Sequence, residues 1–590
     1  MSSSKTVAPL TDPVTLRRVI FASSLGTLFE WYDFYLYGSL AIFFGSKFFP
    51  PGNETAQLLA SLATFGAGFG VRPLGALVFG HIGDLIGRKY TFLLTMATMG
   101  LSTALVGFLP TYEQWGIAAT IILVVLRLLQ GLALGGEYGG AATYVAEHVP
   151  DNRRGYYTSY IQTTATLGFF LSMGVIGTTR LVWGEDAFKS GGGDGLLAIA
   201  GWRVPFLLSF ALLVVSLYIR LKMKESPLFT RLKSAGHVSA NPLKESFTNT
   251  RNLRYVLLAL FGATAGQGVV WYTGQFYALT FLQTTLKVHW LPAYVVMSIA
   301  LALGTPLFLF FGHLSDRIGR KKIMLTGCML AALTYVPLYV AMRYFTPVLP
   351  AGQAAILWSD FPVANLAGLT ACVFVQIVYV TMVYGPIAAF LVELFPTNIR
   401  YTSMSLPYHL GNGWFGGFLP LIATAVAASA TTKEALGPYA IYAGLAYPIL
   451  VGLITLFIGG IFIRETKDHK IDTAIHTEGK DQEAFDWTAV LIAWLFGFAA
   501  LFTLSQGFWM SFIGGAAMFA LPTIFFRLEC PRWISIGTVL ACVAAAAALY
   551  AVLMPVFQSH AGLTRFTPAI LTLAAGPAIL GIAFQMLRPK

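Results

Sequence analysis

The sequence predicts an all-α polytopic membrane protein: two six-helix bundles and about four additional C-terminal membrane helices. Three observations carry this. Of 590 residues, 56% are hydrophobic and only 11% charged, with mean hydropathy +0.69, whereas soluble domains run near ~25% charged. Long apolar runs of the ~20 residues that cross a bilayer recur along the chain. A ten-residue loop also repeats about halfway through the chain, seven of its ten positions identical.

Taken in order, spans are expected near 19–42, 58–80, 91–110, 117–142, 157–179 and 202–221, then near 255–284, 290–311, 323–342, 366–392, 403–427 and 438–463. Four shorter ones follow near 487–504, 508–526, 533–555 and 567–586. The expected units are a first bundle (1–221), a basic central loop (222–254), a second bundle (255–463), a polar linker (464–486) and the extra helices (487–590). The first eighteen residues lack the apolar stretch of a cleaved signal peptide.

Lys/Arg bias sets the orientation. Loops holding Arg17, Arg18, Arg88, Lys89, Arg153, Arg154, 222–254, 317–322, Arg400 and 464–480 are basic; the opposite set is not. This places the N-terminus in the cytoplasm, with the chain multi-pass in the cytoplasmic (inner) membrane. The net charge of +12 follows from the same bias, so no nucleic-acid partner is expected. Cys328, Cys372, Cys530 and Cys542 form no ligand spacing and are expected to pack. Neither metal nor cofactor is expected. There is no phosphate-binding loop and no catalytic constellation, so an enzyme is not expected.

The repeat pairs Gly80-His-Ile-Gly-Asp84-Leu-Ile-Gly87-Arg88-Lys89 with Gly312-His-Leu-Ser-Asp316-Arg-Ile-Gly319-Arg320-Lys321. A second pair is Glu147-His-Val-Pro-Asp-Asn-Arg-Arg154 with Glu393-Leu-Phe-Pro-Thr-Asn-Ile-Arg400. A parallel repeat of six helices is a transporter architecture, with the substrate site between the halves.

These loops resemble the signature of the major facilitator superfamily. Glu30-Trp-Tyr-Asp33-Phe, Arg72-Pro-Leu-Gly75, Arg127-Leu-Leu-Gln130-Gly131, Gly135-Gly136-Glu137, Trp202-Arg-Val-Pro-Phe206 and Glu225-Ser-Pro227 look like the metabolite:H+ symporter family. That family includes shikimate, α-ketoglutarate, citrate and proline/betaine permeases. The resemblance covers roughly 15–467 and says nothing of the tail. It implies that Gly80, Asp84, Gly87, Arg88, Lys89, Gly312, Asp316, Gly319 and Arg320 form a conformational latch. Topology alone also explains their positive charge.

Ionisable groups inside a bilayer are costly, so each is a functional candidate. Among the acids only Glu30, Asp33 and Glu137 fall well inside a span; Arg72, Arg127 and His409 are the intramembrane bases. At ~1.5 Å per residue Asp33 stands ~22 Å above Arg18, and Arg127 lies ~15 Å below the outer end of its helix. In a core ~30 Å thick these depths overlap. The expectation is therefore two layers, Asp33 with Arg127 and Arg72 with Glu137. Proton coupling is assigned to Asp33, Arg127, Glu30 and Glu137, with a purely structural charge network as the alternative. Candidate substrate contacts are Arg72, Arg127, Tyr32, Gln162, Gln267, Trp271, Tyr272, Gln275, Gln376, Tyr384 and Asn412. His409 is read as a packed neutral histidine, with a proton relay as the alternative.

The function expected is proton-coupled uptake of a small carboxylate metabolite by alternating access. The expected partners are that small molecule, protons and the lipid bilayer. Import of betaine or proline, export, and a non-transporting sensor remain open alternatives, as does the oligomeric state.

Overall fold

The computed structural model describes residues 13–86, 88–136, 138–191, 199–221, 250–395, 400–467 and 469. Glu137, Gly87, most of the central loop and linker, and the expected helices at 487–590 lie outside the described residues, as do the side chains of Gly80, Asp84, Arg88 and Lys89.

Every long element among the described residues is helical. In lipid the helix satisfies all its backbone groups internally, and the apolar runs supply the lipid-facing surface. Ten helices are long and apolar enough to cross a membrane among the described residues. They are α2 (Glu54–Phe79), α4 (Ile117–Ala146), α5 (Asp151–Trp183), α6 (Gly201–Tyr218), α7 (Asn252–Thr285), α8 (Trp290–Ile318), α9 (Arg320–Phe345), α10 (Val363–Leu394), α11 (Thr402–Ala428) and α12 (Ala430–Phe462). Two more occupy the places of the first and third expected spans: α1 (Pro13–Ser39) and α3 (Arg88–Phe108). Several helices overrun their apolar stretch. The expected 157–179 becomes α5 over Asp151–Trp183, because hydrogen bonding continues into the basic flank that hydropathy discounts.

α1 packs on α5 and α6, α3 on α4 and α6, and α2 on α4. Beyond the central loop, α10 packs on α8 and α9, and α12 on α7 and α9. Two seams join these groups: α5 runs along α8, and α2 along α11. The close approach of α2 and α4 depends on glycine. A methyl at Gly131 would overlap the Gly68 carbonyl, and one at Gly135 the Arg72 carbonyl. Small residues at such crossings let backbones touch where lipid gives no hydrophobic drive. This crossing brings Arg72 of α2 and Arg127 of α4 into the protein interior, both 0% exposed.

α7 and α11 are irregular. α7 widens into π turns at Leu260–Thr264, Thr273–Tyr277 and Phe281–Thr285, and α11 at Gly411–Gly417. Such turns concentrate at functional sites. The Thr264 hydroxyl donates to the Pro407 carbonyl at 2.7 Å, stitching α7 to α11.

Candidate functional site

The interior between the two seams holds aromatic rings and isolated charges. Tyr35 of α1 stacks on Trp271 of α7 at 5.4 Å, and Phe276 lies 5.0 Å from Tyr35. Tyr272 meets Phe69 edge-on at 5.1 Å. Tyr138 of α4 and Tyr408 of α11 stack at 3.4 Å, and Tyr408 shares a 2.7 Å hydrogen bond with Tyr384.

Arg72 lies between the faces of Trp31 and Phe69, 5.2 Å from each centroid. None of its three guanidinium nitrogens has a hydrogen-bond partner. A bare arginine at mid-membrane costs ~2.5–3.5 kcal/mol even on insertion scales; two cation–π contacts return ~0.5–2 kcal/mol each. Arg127 is better held. It donates to the Phe34 carbonyl at 3.2 Å and to Gln130 Oε1 at 2.5 Å, beneath the Phe34 and Tyr37 rings. Its Nε and Nη2 remain unpartnered.

Glu30 and Asp33 are buried at 4% and 5% exposure. Both Glu30 carboxylate oxygens and Oδ1 of Asp33 lack a partner. The expected layer of Asp33 with Arg127 is not formed in this conformation. Depth was legible but side-chain direction was not: Asp33 turns towards Ser209 of α6, whereas Arg127 turns to the Phe34 carbonyl and the rings of Phe34 and Tyr37. The second expected layer rests on Glu137, outside the described residues.

Of the neutral candidates, Gln267 and Asn412 exchange amide hydrogen bonds at 3.1 and 2.8 Å. Gln162 donates to the Tyr138 hydroxyl at 2.6 Å, and Gln275 to Thr166 of α5 at 3.3 Å. Each keeps an unpartnered Oε1, and Trp271 keeps an unpartnered indole N–H. Tyr272 and Tyr384 join the ring cluster. Two candidates face elsewhere. Tyr32 donates to the Pro205 carbonyl of α6 at 2.9 Å, and Gln376 turns to Cys372 and Met342. The sequence reading missed Tyr35, Phe69, Tyr138, Phe276 and Tyr408. An aromatic on a membrane helix carries no mark of which side it faces.

Contacts bridge the two groups of helices at both ends of the interior. At the end carrying the repeated loops, Asp316 accepts the backbone N–H groups of Gly155 and Tyr156 at 2.8 Å each. A carboxylate there completes the first turn of α5 and meets its positive end. Arg320 donates to Asp316 at 2.6 Å and to Glu393 at 3.0 Å. Arg154 reaches Glu393 across the seam at 2.9 Å, and the Thr466 hydroxyl donates to Glu393 at 2.7 Å. Arg400 lies 4.0 Å from Glu147. The second repeat therefore pairs crosswise, each half's glutamate with the other half's arginine. Gly319 sits at φ 110°, left-handed backbone that favours glycine, and the Glu465 carboxylate beside it accepts the Arg320 N–H at 2.8 Å. Gly312 packs tightly against Gly155 and Ser159.

At the opposite end, Arg180 is sandwiched between Phe188 at 4.7 Å and Trp290 at 4.9 Å. The Trp290 indole N–H donates to Glu185 at 3.1 Å, and the Tyr294 hydroxyl to the Ser39 carbonyl at 2.9 Å.

The family model described as sugar (and other) transporter matches residues 19–475. The inner membrane metabolite transport protein YhjE of Escherichia coli (strain K12) is 34% identical over 451 residues, 75% of this chain and 94% of that protein. The alpha-ketoglutarate permease of the same organism is 34% identical over 416 residues, 70% and 88% of the two chains. The solved proton:xylose symporter XylE, bound to 6-bromo-6-deoxy-D-glucose, superposes with TM-score 0.59 at 17% identity, covering 78% of this chain and 98% of its own. With a family match over most of its length, relatives that carry metabolites across membranes and this helical arrangement, the chain is a membrane transporter rather than an enzyme and belongs to the sugar (and other) transporter family of the major facilitator superfamily.

Proposed function

We propose that the chain imports a small carboxylate-bearing metabolite together with protons, by alternating access between bundles 1–221 and 255–463, with its N-terminus in the cytoplasm of the cell. The observation that carries this is a set of buried intramembrane charges, Glu30, Asp33, Arg72 and Arg127, none joined to another by an ion pair among the described residues. Unpaired guanidinium groups call for an anionic ligand, and the planar arginine fork suits a carboxylate. Relatives support the substrate class, since alpha-ketoglutarate is a dicarboxylate.

In this reading Asp33 takes a proton while it faces Ser209, and gives it up when a rearranged bundle brings a cation close. An opposite charge favours the ionised carboxylate and burial favours the neutral one, so motion changes proton affinity. Arg127, with Glu30 beside α1's Asp33, tunes that exchange. The latch residues stabilise one closed face. A second reading, import of a betaine, is favoured by the rings of Tyr35, Trp271, Tyr272 and Phe276, which could hold an ammonium group.

Uptake into proteoliposomes tests the proposal. Wild type accumulates 2-oxoglutarate under an imposed pH gradient. Asp33→Asn loses accumulation yet keeps gradient-free counterflow. Full accumulation by Asp33→Asn removes Asp33 from coupling, and uptake of glycine betaine alone favours the second reading.

A further inference from the structure

His409 of α11 is a fully buried polar residue, as Arg72 is. Both its ring nitrogens are buried without a hydrogen-bond partner, and the residue is 0% exposed. Buried polar atoms with no partner are uncommon and call for an explanation. His409 feels the charge of Arg72, and its ring turns towards the Gly135 carbonyl of α4. Gly135 packs directly on the backbone of Arg72. The two orphaned groups therefore meet at one place, from helices on opposite sides of the central loop. Neither makes a hydrogen bond of ordinary geometry, although the Tyr408 hydroxyl stands near Arg72 and the Gly135 carbonyl near His409; Arg127, by contrast, is tied to Phe34 and Gln130.

We propose that Arg72 and His409 form a two-sided carboxylate receptor, in which one anionic group of the substrate bridges the guanidinium of one bundle and an imidazole N–H of the other. This rests on the carboxylate-transport reading above and adds who holds the anion. A carboxylate offers about four acceptor sites, enough for a bidentate arginine and one further donor. Imidazole carries a proton on at least one nitrogen in either charge state; the protonated ring offers a donor to the ligand as well as to the Gly135 carbonyl, and the neutral ring gives its one N–H to the ligand by turning from that carbonyl. Tyr138 and Tyr408, stacked beside it, each come from a different side of the same seam. A ligand held from both sides binds best when the sides are together, so it draws the protein towards the closed conformation.

The test uses the full chain in detergent, with 2-oxoglutarate and shikimate as probes and melting temperature as readout. Both probes are expected to stabilise wild type. His409→Phe and His409→Leu, which keep bulk but lose the donor, are expected to weaken apparent affinity about tenfold, the usual scale for a hydrogen bond to a charged group. His409→Gln, which restores an N–H, is expected to remain within about threefold of wild type. That rescue separates recognition from packing. Wild-type affinity in either folded donor-free variant, or equal loss in all three, overturns the receptor while leaving the transport reading intact. If neither probe stabilises wild type and neither is taken up under a pH gradient, the carboxylate reading falls and the receptor with it.

Discussion

His289, at the start of α8, stands among groups of both signs from the other side of the seam. Burial lowers its pKa, Glu185 opposes this, and Arg180 and Lys189 add to the lowering. The closed arrangement therefore holds the neutral ring, while a solvated imidazole titrates near ~6.5. As pH falls through that ordinary value, an opened state takes up the proton first and gains stability relative to the closed one. Acid on this face should thus favour opening. External acidification is expected to lower the half-saturating 2-oxoglutarate concentration, and His289→Gln to flatten that dependence; an unchanged profile would contradict it. At this scale the sequence was informative where the bilayer penalises a residue. Glu30, Asp33, Arg72 and Arg127 were legible because charges inside apolar runs are rare. His409 was legible as an intramembrane histidine, but its approach to Gly135 was not, since a single histidine says nothing of its partners.

Among elements, the firmest sequence inference was the doubled loop, whose second copy makes the contacts at the end carrying the repeated loops together with the Glu–Arg repeat. Glu393 at the end of α10 serves Arg154 and Arg320 together. Glu393→Gln leaves two buried guanidinium groups facing a neutral amide. Removing one partner of a buried ion pair typically costs ~3–5 kcal/mol. The variant is expected to melt several degrees lower, and a cysteine placed at Ser159 in that background to be alkylated faster. Unchanged labelling would show that Glu393 does not hold the face shut. The π turns of α7 and α11 were illegible. An extra residue per turn leaves no periodic signature in a helix that is apolar all round, and only the fit of Thr264 and Gly411 between two helices fixes it.

For the whole molecule, apolar runs alone located twelve helical segments of the core, with ends that differ by up to eight residues, because lipid leaves the backbone no alternative. Charge position along the chain gave no direction around each helix. The tail beyond the linker has no counterpart in the resemblance that frames the core. A chain ending at Asp486 is expected to insert and retain at least about half of wild-type 2-oxoglutarate uptake; complete loss in a properly inserted truncation would make the tail part of the transport unit.

The crossed pairs, Glu147 with Arg400 and Arg154 with Glu393, have a meaning for ancestry. When two copies of one subunit meet about a two-fold axis, any contact between residue i and residue j occurs twice, once in each direction. A glutamate and an arginine seven positions apart on a single ancestral six-helix polypeptide would produce this arrangement as soon as two such polypeptides paired. Fusion of the genes then needed no invention of an interface, because the contact already existed. Divergence could afterwards act on each copy separately, leaving Arg72 on one side and His409 on the other to do unlike things across what began as a junction of equals.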